Sequence, residues 1–550
     1  MTRSDRPCRP SLIAVTLALI PLVASGRPAS DPYTYSHHAV STSIASAQSA
    51  FDRGLTLVYA YQQGEAEQAF RQAARLDPSL AMAWWGVALA LGPDINTAPE
   101  AKRTAEAAAA IARARLLAAR RATVAERDYI EALAARYSSE AAPDFDALAL
   151  GYRDRMRALV RSYPTDPDAA ALFAEAIMDL HPWRLWTQEG APGDGTVELV
   201  SVLESGLKTH PDHIGLMHLY IHAVEASTEP GRALAVARRL AATPVEPAAS
   251  HLVHMPAHIF LRVGDWQAAI EANEHAVHEA LDFRLSKDPG TERACGHCLE
   301  FLTYAYAMQG DLAAARRAAE ASRAISGDQS TSIAVLARFR RFEELLALPE
   351  PPSDSKPYAR DAHVVRALWH YGRGLALLAR ADRDGAAAEL AAVRSEAALA
   401  PPAPVFPSDR PDLAHVYGNL DAAIGAAALA IAEHLLAGRL ALARGESDRA
   451  ITEFKTAVDV QEHAQYTEPP LWLYPARETL AAALLKTGAK AEAELVLREC
   501  LRRTPHDPRA ALGLQQLLTA AGRRTHAAEL AADIAAAQTH ADEPLSFEAL

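Results

Sequence analysis

Residues 54–85 read GLTLVYAYQQGEAEQAFRQAARLDPSLAMAWW, and the spacing of small and apolar residues in this stretch decides the fold. Ala66 follows Gly54 by 12 residues, Phe70 follows Ala66 by 4, Ala73 follows Phe70 by 3 and Pro78 follows Ala73 by 5. Ala81 and Trp84 then open a second unit. Near the other end of the chain the same 12, 4 and 3 spacing returns at Gly438, Ala450, Phe454 and Ala457. Self-similarity over such a distance marks an array of repeated supersecondary units.

The composition agrees with helices. Half of the 550 residues are hydrophobic, only 6% are aromatic, and alanine fills most apolar positions. Small side chains of this kind suit closely packed helices better than sheets. The net charge of −13 is spread over mixed acidic and basic residues. No basic stripe interleaved with aromatics occurs, so nothing in the charge pattern supports a nucleic-acid partner.

The pattern resembles the tetratricopeptide (TPR) repeat, a 34-residue helix-turn-helix unit. In that register Gly54 is position 8, Ala66 position 20, Phe70 position 24, Ala73 position 27 and Pro78 position 32. Ala481, Ala493, Cys500 and Pro505 fit a further unit, as do Met217, Tyr220, Val224 and Ala233 in the unit starting at Ile214. Val253, Ala257, Phe260 and Ala269 fit one starting at Ser250, and Leu299, Leu302 and Ala315 one starting at Gly296. The resemblance implies an all-α, TPR-like helix-turn-helix solenoid, a right-handed superhelix with a concave groove.

Eleven of the 21 histidines fall between His181 and His297. Histidine is the commonest metal ligand, so their place in the register matters. His218, His222 and Glu225 take positions 5, 9 and 12 of the Ile214 unit. His251, His254 and His258 take positions 2, 5 and 9 of the Ser250 unit, with Arg262 at position 13. His297, Glu300 and Tyr304 take positions 2, 5 and 9 of the Gly296 unit. Positions spaced by 3 and 4 share one helix face, and the resemblance implies that this stripe lines the concave wall. Packed helices lie about 8–10 Å apart, which lets imidazoles of neighbouring helices share an ion. We read His218, His222, Glu225, His251, His254, His258, His297 and Glu300 as ligands of copper, iron or zinc rather than calcium or magnesium.

Other polar sites have plainer readings. His210 and His213 flank Pro211 at an expected helix end, where histidine caps carbonyls. His275 and His278 fall on a second helix and are expected to face solvent. His181 precedes Pro182-Trp183-Arg184-Leu185-Trp186 in an insert, residues 181–195, and either adds a ligand or helps to cover the groove. His37 and His38 are left open between copper ligands and no role. Trp84, Trp85, Asn96, Arg366, Trp369, His370 and the segment Tyr466–Pro470 default to packing.

Cys295-Gly-His-Cys298 matches the active tetrapeptide of protein disulfide isomerases, but no βαβ pattern surrounds it. Its thiols read as soft ligands or as a disulfide bracing the helix start. Cys500, at packing position 27, reads as a buried small hydrophobe.

Residues 1–26 have the form of a secretory signal: Arg3, Arg6 and Arg9, then the apolar run Leu12–Ala24, then small residues. That run is short for a membrane span, and Cys8 precedes it, so no lipobox is present. The expected compartment is periplasmic or extracellular, with no membrane span. The division along the chain is then a mature N-terminal segment 27–44, an N-terminal repeat block 45–344 with the histidine-rich groove, Pro-rich linkers around a helical pair 345–411, a C-terminal repeat block 412–535 and a tail 536–550.

The stretches LVYAYQQGEAEQAFRQAARLDPSLAMAWWGVALALGPDIN, HPWRLW, HLYIHAVEAS and HLVHMPAHIFLRVGDW resemble a group of secreted bacterial TPR-repeat proteins. That resemblance implies the fold and the histidine motifs and brings no activity with it. The function expected from the residues is an exported metalloprotein, with metal-dependent oxidative chemistry on a small molecule or peptide as the favoured form. The alternatives are a non-catalytic scaffold holding a peptide or protein partner in the groove, and a metal storage or delivery protein.

Overall fold

Phe70 shows why these residues form helical hairpins. Helix Ala45–Tyr59 lies against helix Gln63–Leu76, which lies against helix Ala81–Ala90. Phe70 projects from the middle helix and is fully buried. A Cβ placed on Gly54 would stand 2.8 Å from its ring, and one on Gly86 closer still. Glycine at both places lets two backbones close on a single phenyl ring. The arrangement recurs in hairpin Val416–Ala443/Ser447–His463, where a Cβ on Gly438 would meet Phe454 at 2.5 Å. The sequence repeat is therefore a packing repeat.

The computed structural model describes residues 33–284, 289–352, 361–404, 406, 412–470 and 472–547, with 280–284 and 289–295 as backbone only. The signal segment 1–26 and the Cys295 side chain fall outside these residues, so the proposed Cys295–Cys298 pairing does too. Thr34–Leu550 forms one compact unit. Among the described residues it is all-α and TPR-like, with two isolated bridges, Asp94 to Thr97 and Trp186 to Pro192, and no strand.

The array turns back on itself. Tyr417 Oη donates to the Asp94 carbonyl at 2.8 Å, and Gln465 Nε2 donates to that of Trp183 at 2.7 Å. Trp266 Nε1 donates to the His506 carbonyl at 3.1 Å. Gly264 sits at φ 75° with the Pro505 carbonyl 2.1 Å from where a Cβ would lie. Only glycine satisfies both the left-handed backbone and that approach. These contacts, with Tyr466 beneath Arg262, lay part of the C-terminal half against the middle repeats.

Helix Val416–Ala443 is 28 residues long and apolar enough to cross a membrane by length and composition alone. Here it packs against helices Ala362–Ala379, Arg383–Leu399 and Ser447–His463.

Replacing Phe70 with alanine removes the wedge between three helices, so Phe70→Ala is expected to cost about 3–5 kcal/mol of unfolding free energy. Chemical denaturation followed by circular dichroism reads it; a loss below about 1 kcal/mol would contradict this packing role.

Candidate metal centre

Three helix segments bring the histidines together. Helix Ile214–Glu225 carries His218 and His222 one turn apart. The next first helix is split into Ser250–His254 and Pro256–Val263, because Pro256 has no N–H to continue the ladder. The backbone stays helical at Met255, so His251, His254 and His258 remain on one face. His297 follows on helix Pro289–Gln309.

Two groups of three result, and they are built alike. In the first, His218 lies 4.9 Å from His222 and 4.9 Å from His251 between ring centroids, with 6.2 Å across. In the second, His254 lies 4.8 Å from His258 and 4.9 Å from His297, with 6.0 Å across. Within each group three ring nitrogens lie within 4.8 Å of one another. Each group takes positions 5 and 9 from one repeat and position 2 from the next. The groups touch through His222 and His258, whose rings are 5.4 Å apart.

Hydrogen-bond partners fix the tautomers. His218 Nδ1–H donates to the Tyr59 carbonyl at 2.6 Å, and His254 Nδ1–H to Asn273 Oδ1 at 2.6 Å. Asn273 is itself oriented by its amide donating to the Ala269 carbonyl at 2.8 Å. His222 Nδ1–H donates to Glu225 Oε1 at 2.8 Å, and His258 Nδ1–H donates to Glu225 Oε2. Four imidazoles thus spend their N–H on an outer acceptor and present bare Nε2 inward, as metal-ligating histidines do.

The consequence is sharpest at His254 and His258. Their Nε2 atoms face each other at 2.9 Å, and when both rings are neutral, with Nδ1–H given to Asn273 and Glu225, both carry lone pairs there. A cation between them removes the repulsion, and ligands at about 2.0–2.1 Å from one ion stand about 3 Å apart when adjacent. His251 and His218 Nε2 face each other at 3.1 Å, and buried His222 Nε2 has no partner among the described residues.

Electrostatics favours the same state. His218, His251 and His254 are held well below the ordinary histidine range by burial first and by neighbouring imidazoles second. His258 is lowered by burial, against the pull of Glu225. Burial alone would raise the Glu225 carboxyl, but His258 and His222 bring it down to about 2. Glu225, read from sequence as a ligand, accepts from both His222 and His258 and also forms with them a third group whose ligand atoms lie within 4.8 Å of one another.

The surrounding wall is aromatic. Tyr61 lies 4.7 Å from His218 and stacks on His222 at 6.0 Å, and Trp183 meets His222 edge-on at 5.6 Å. Both hold positive φ, 55° and 59°, a strain of about 1–3 kcal/mol for such residues that clusters at functional sites. Phe301 packs on His254 at 4.5 Å and on His258 at 4.8 Å. From the C-terminal half, Tyr466 lies under the Arg262 guanidinium at 5.6 Å and donates to Glu468. Burial, and then the field of Glu225, pushes the Glu468 carboxyl up to about 8.

Several sequence readings resolve here. His218, His222, His254 and His258 are at most 4% exposed, while His251 and His297 are half-buried. Glu300 is half-buried and belongs to neither group, and Tyr304 packs on Trp266 at 5.9 Å instead of lining the site. The insert covers the centre through Trp183, and His181 stays outside, 3.9 Å from Asp194. His275 and His278 are exposed, as expected. His213 caps the start of helix Ile214–Glu225, accepting from Leu216 N–H at 3.1 Å, so it serves a helix beginning and not the end expected. His38 and His213 both bind Asp168, at 2.8 and 3.0 Å, with Tyr59 Oη at 2.6 Å. His37 pairs with Asp52 at 2.7 Å. Cys500 is buried, as read.

Asn273 went unnoticed in sequence, yet it occupies position 24 of the Ser250 unit, where Phe70 and Phe454 stand in theirs. A polar residue replacing the wedge was the available signal.

No family model matches the chain, and no curated protein matches it. Solved structures of human IFIT1 with PPP-AAAA and with m7Gppp-AAAA align over 87% of both chains at 13% and 14% identity, with TM-scores of 0.30 and 0.31. At that likeness the chemistry of the centre stands on its own residues.

For the metal-free chain the sign of the pH dependence follows from the lowered histidines. Unfolded imidazoles take up protons near pH 6.5, while native His218, His251 and His254 do not. This part of the stability is therefore complete above about pH 6.5 and lost as pH falls below it. The urea midpoint of chelator-treated protein is expected to drop steadily from pH 7 to pH 5; a flat profile would show that the imidazoles are not buried in neutral form.

Proposed function

We propose that the protein is an exported metalloprotein that holds two first-row transition ions, one on His218, His222 and His251 and one on His254, His258 and His297. The observation that carries this reading is the 2.9 Å approach of the His254 and His258 Nε2 atoms, with the opposite ring nitrogens engaged by Asn273 and Glu225. An all-imidazole donor set suits copper, iron or zinc, and the general affinity order puts Cu(II) first. The resemblance of the motif-bearing stretches to secreted bacterial TPR-repeat proteins, and the signal-like residues 1–26, support the exported setting.

Bound copper or iron would supply electron transfer to and from a small molecule, and on that basis we favour oxidative chemistry. The chain's own residues do the rest. Glu225 and Asn273 hold the imidazoles in one tautomer, and Tyr61, Trp183 and Phe301 keep bulk water away. His251 and His297 are the less buried members of their groups, so a small reactant has its nearest approach on their side. Burial of the other four histidines favours a resident cofactor over exchangeable cargo, and it leaves no open histidine wall for a peptide.

Elemental analysis of the full-length exported protein after copper loading and desalting is expected to give two ions per chain. His218→Phe and His254→Phe should each lose one ion, and exposed His275→Phe none. Asn273→Leu, which touches no ion, should weaken one of the two sites by about 10–100-fold. Absence of retained metal in the unaltered protein would overturn the proposal.

A further inference from the structure

A second cluster of charged side chains, this one mostly cationic, lies outside the two histidine groups. Helices Ser330–Arg338, Ala362–Ala379, Val416–Ala443, Ala476–Lys486 and Pro508–Ala520 line a cavity of about 280 Å³. Arg338, Arg340, Arg439, Lys486 and Arg509 border it, and Glu478 is the one carboxylate among its lining residues. The chain as a whole carries −13, so this wall is opposite in sign to the rest of the molecule.

Most of that charge is not neutralised from within. Glu478 is held by Arg338 at 3.2 Å and by Arg509 at 3.2 Å. Arg439 donates from Nη2 to the Thr479 hydroxyl at 3.3 Å, and its buried Nε has no partner among the described residues. Arg340 lies 5.6 Å over the Phe342 ring, held at φ 57°. Of the neighbouring acids, Glu543 pairs with Arg341 at 2.6 Å, Asp507 lies with Glu478 beside Arg338 and Arg509, and Asp542 accepts from the Ala313 N–H at 2.7 Å. Among the described residues, Arg340, Arg439 and Lys486 make no ion pair. Three cations without an ion pair at the border of one cavity, Arg439 half-buried and Arg340 and Lys486 at its exposed rim, raise its affinity for a multivalent anion.

We infer that this cavity is a binding site for a small polyvalent anion, recognised through carboxylate or phosphate oxygens by Arg439, Arg340 and Lys486. Its size is near the lower end of ligand pockets, which fits a compact di- or trianion. Its lining shares no residue with the two histidine groups.

Isothermal titration of the full-length protein with citrate and, separately, with pyrophosphate tests the inference. Saturable 1:1 binding of at least one is expected, and the stronger of the two identifies the oxygen-bearing group. Raising sodium chloride from 50 to 500 mM should weaken it several-fold. Lys486→Glu, an exposed position, and Arg439→Gln should each weaken binding tenfold or more with the melting temperature and metal content unchanged. Exposed Arg75→Gln should leave binding unaltered. No saturable heat from either anion at millimolar concentration, or equal binding by both variants, would overturn the inference.

Discussion

A buried carboxylate is costly unless both oxygens are satisfied, and Glu225 meets that condition by accepting one imidazole N–H from each of two successive repeats. That single group ties the inner helices together at the centre of the chain. It fixes the orientation of His222 on its own helix and of His258 on the next, and through His258 it sets the ring facing His254. Take Glu225 away and two neutral rings lose the acceptor that defines their tautomer. The aromatic residues around them, two with strained backbones, would then surround a loose cluster instead of a defined one.

How much of this was legible in the sequence differs between scaffold and site. The spacing from Gly54 to Phe70, and its return at Gly438 and Phe454, encodes a close approach of backbones, and close approach leaves a strict imprint on residue size. The placing of six histidines at positions 2, 5 and 9 was legible for the same reason, since helix faces follow from period alone. What could not be read was the far side of each contact. The Tyr59 carbonyl leaves no mark in sequence, and Tyr466 and Glu468 arrive from about 200 residues downstream. Such partners are set by how the array turns, and helical period carries no information about that turn.

The turn also changes what kind of surface the histidines form. A stripe that would be a groove in an open array becomes an interior here, because Gln465 reaches Trp183 and Trp266 reaches His506. Enclosure removes water, so each electrostatic interaction in the centre is stronger than at an exposed wall. Only the position 2 members keep contact with the outside, and both groups keep it in the same way.

That sameness has a consequence for how such a centre arises. Each donor set is assembled from one helix and the start of the next, so it belongs to the junction between repeats and to no specialised loop. Duplicating a stretch of coding sequence one repeat long would copy a whole group of three histidines together with the helices that hold it. Losing one repeat would delete one group and leave its neighbour intact. A second group therefore needs no separate invention, and the spacing between the two is inherited from the stacking of the helices.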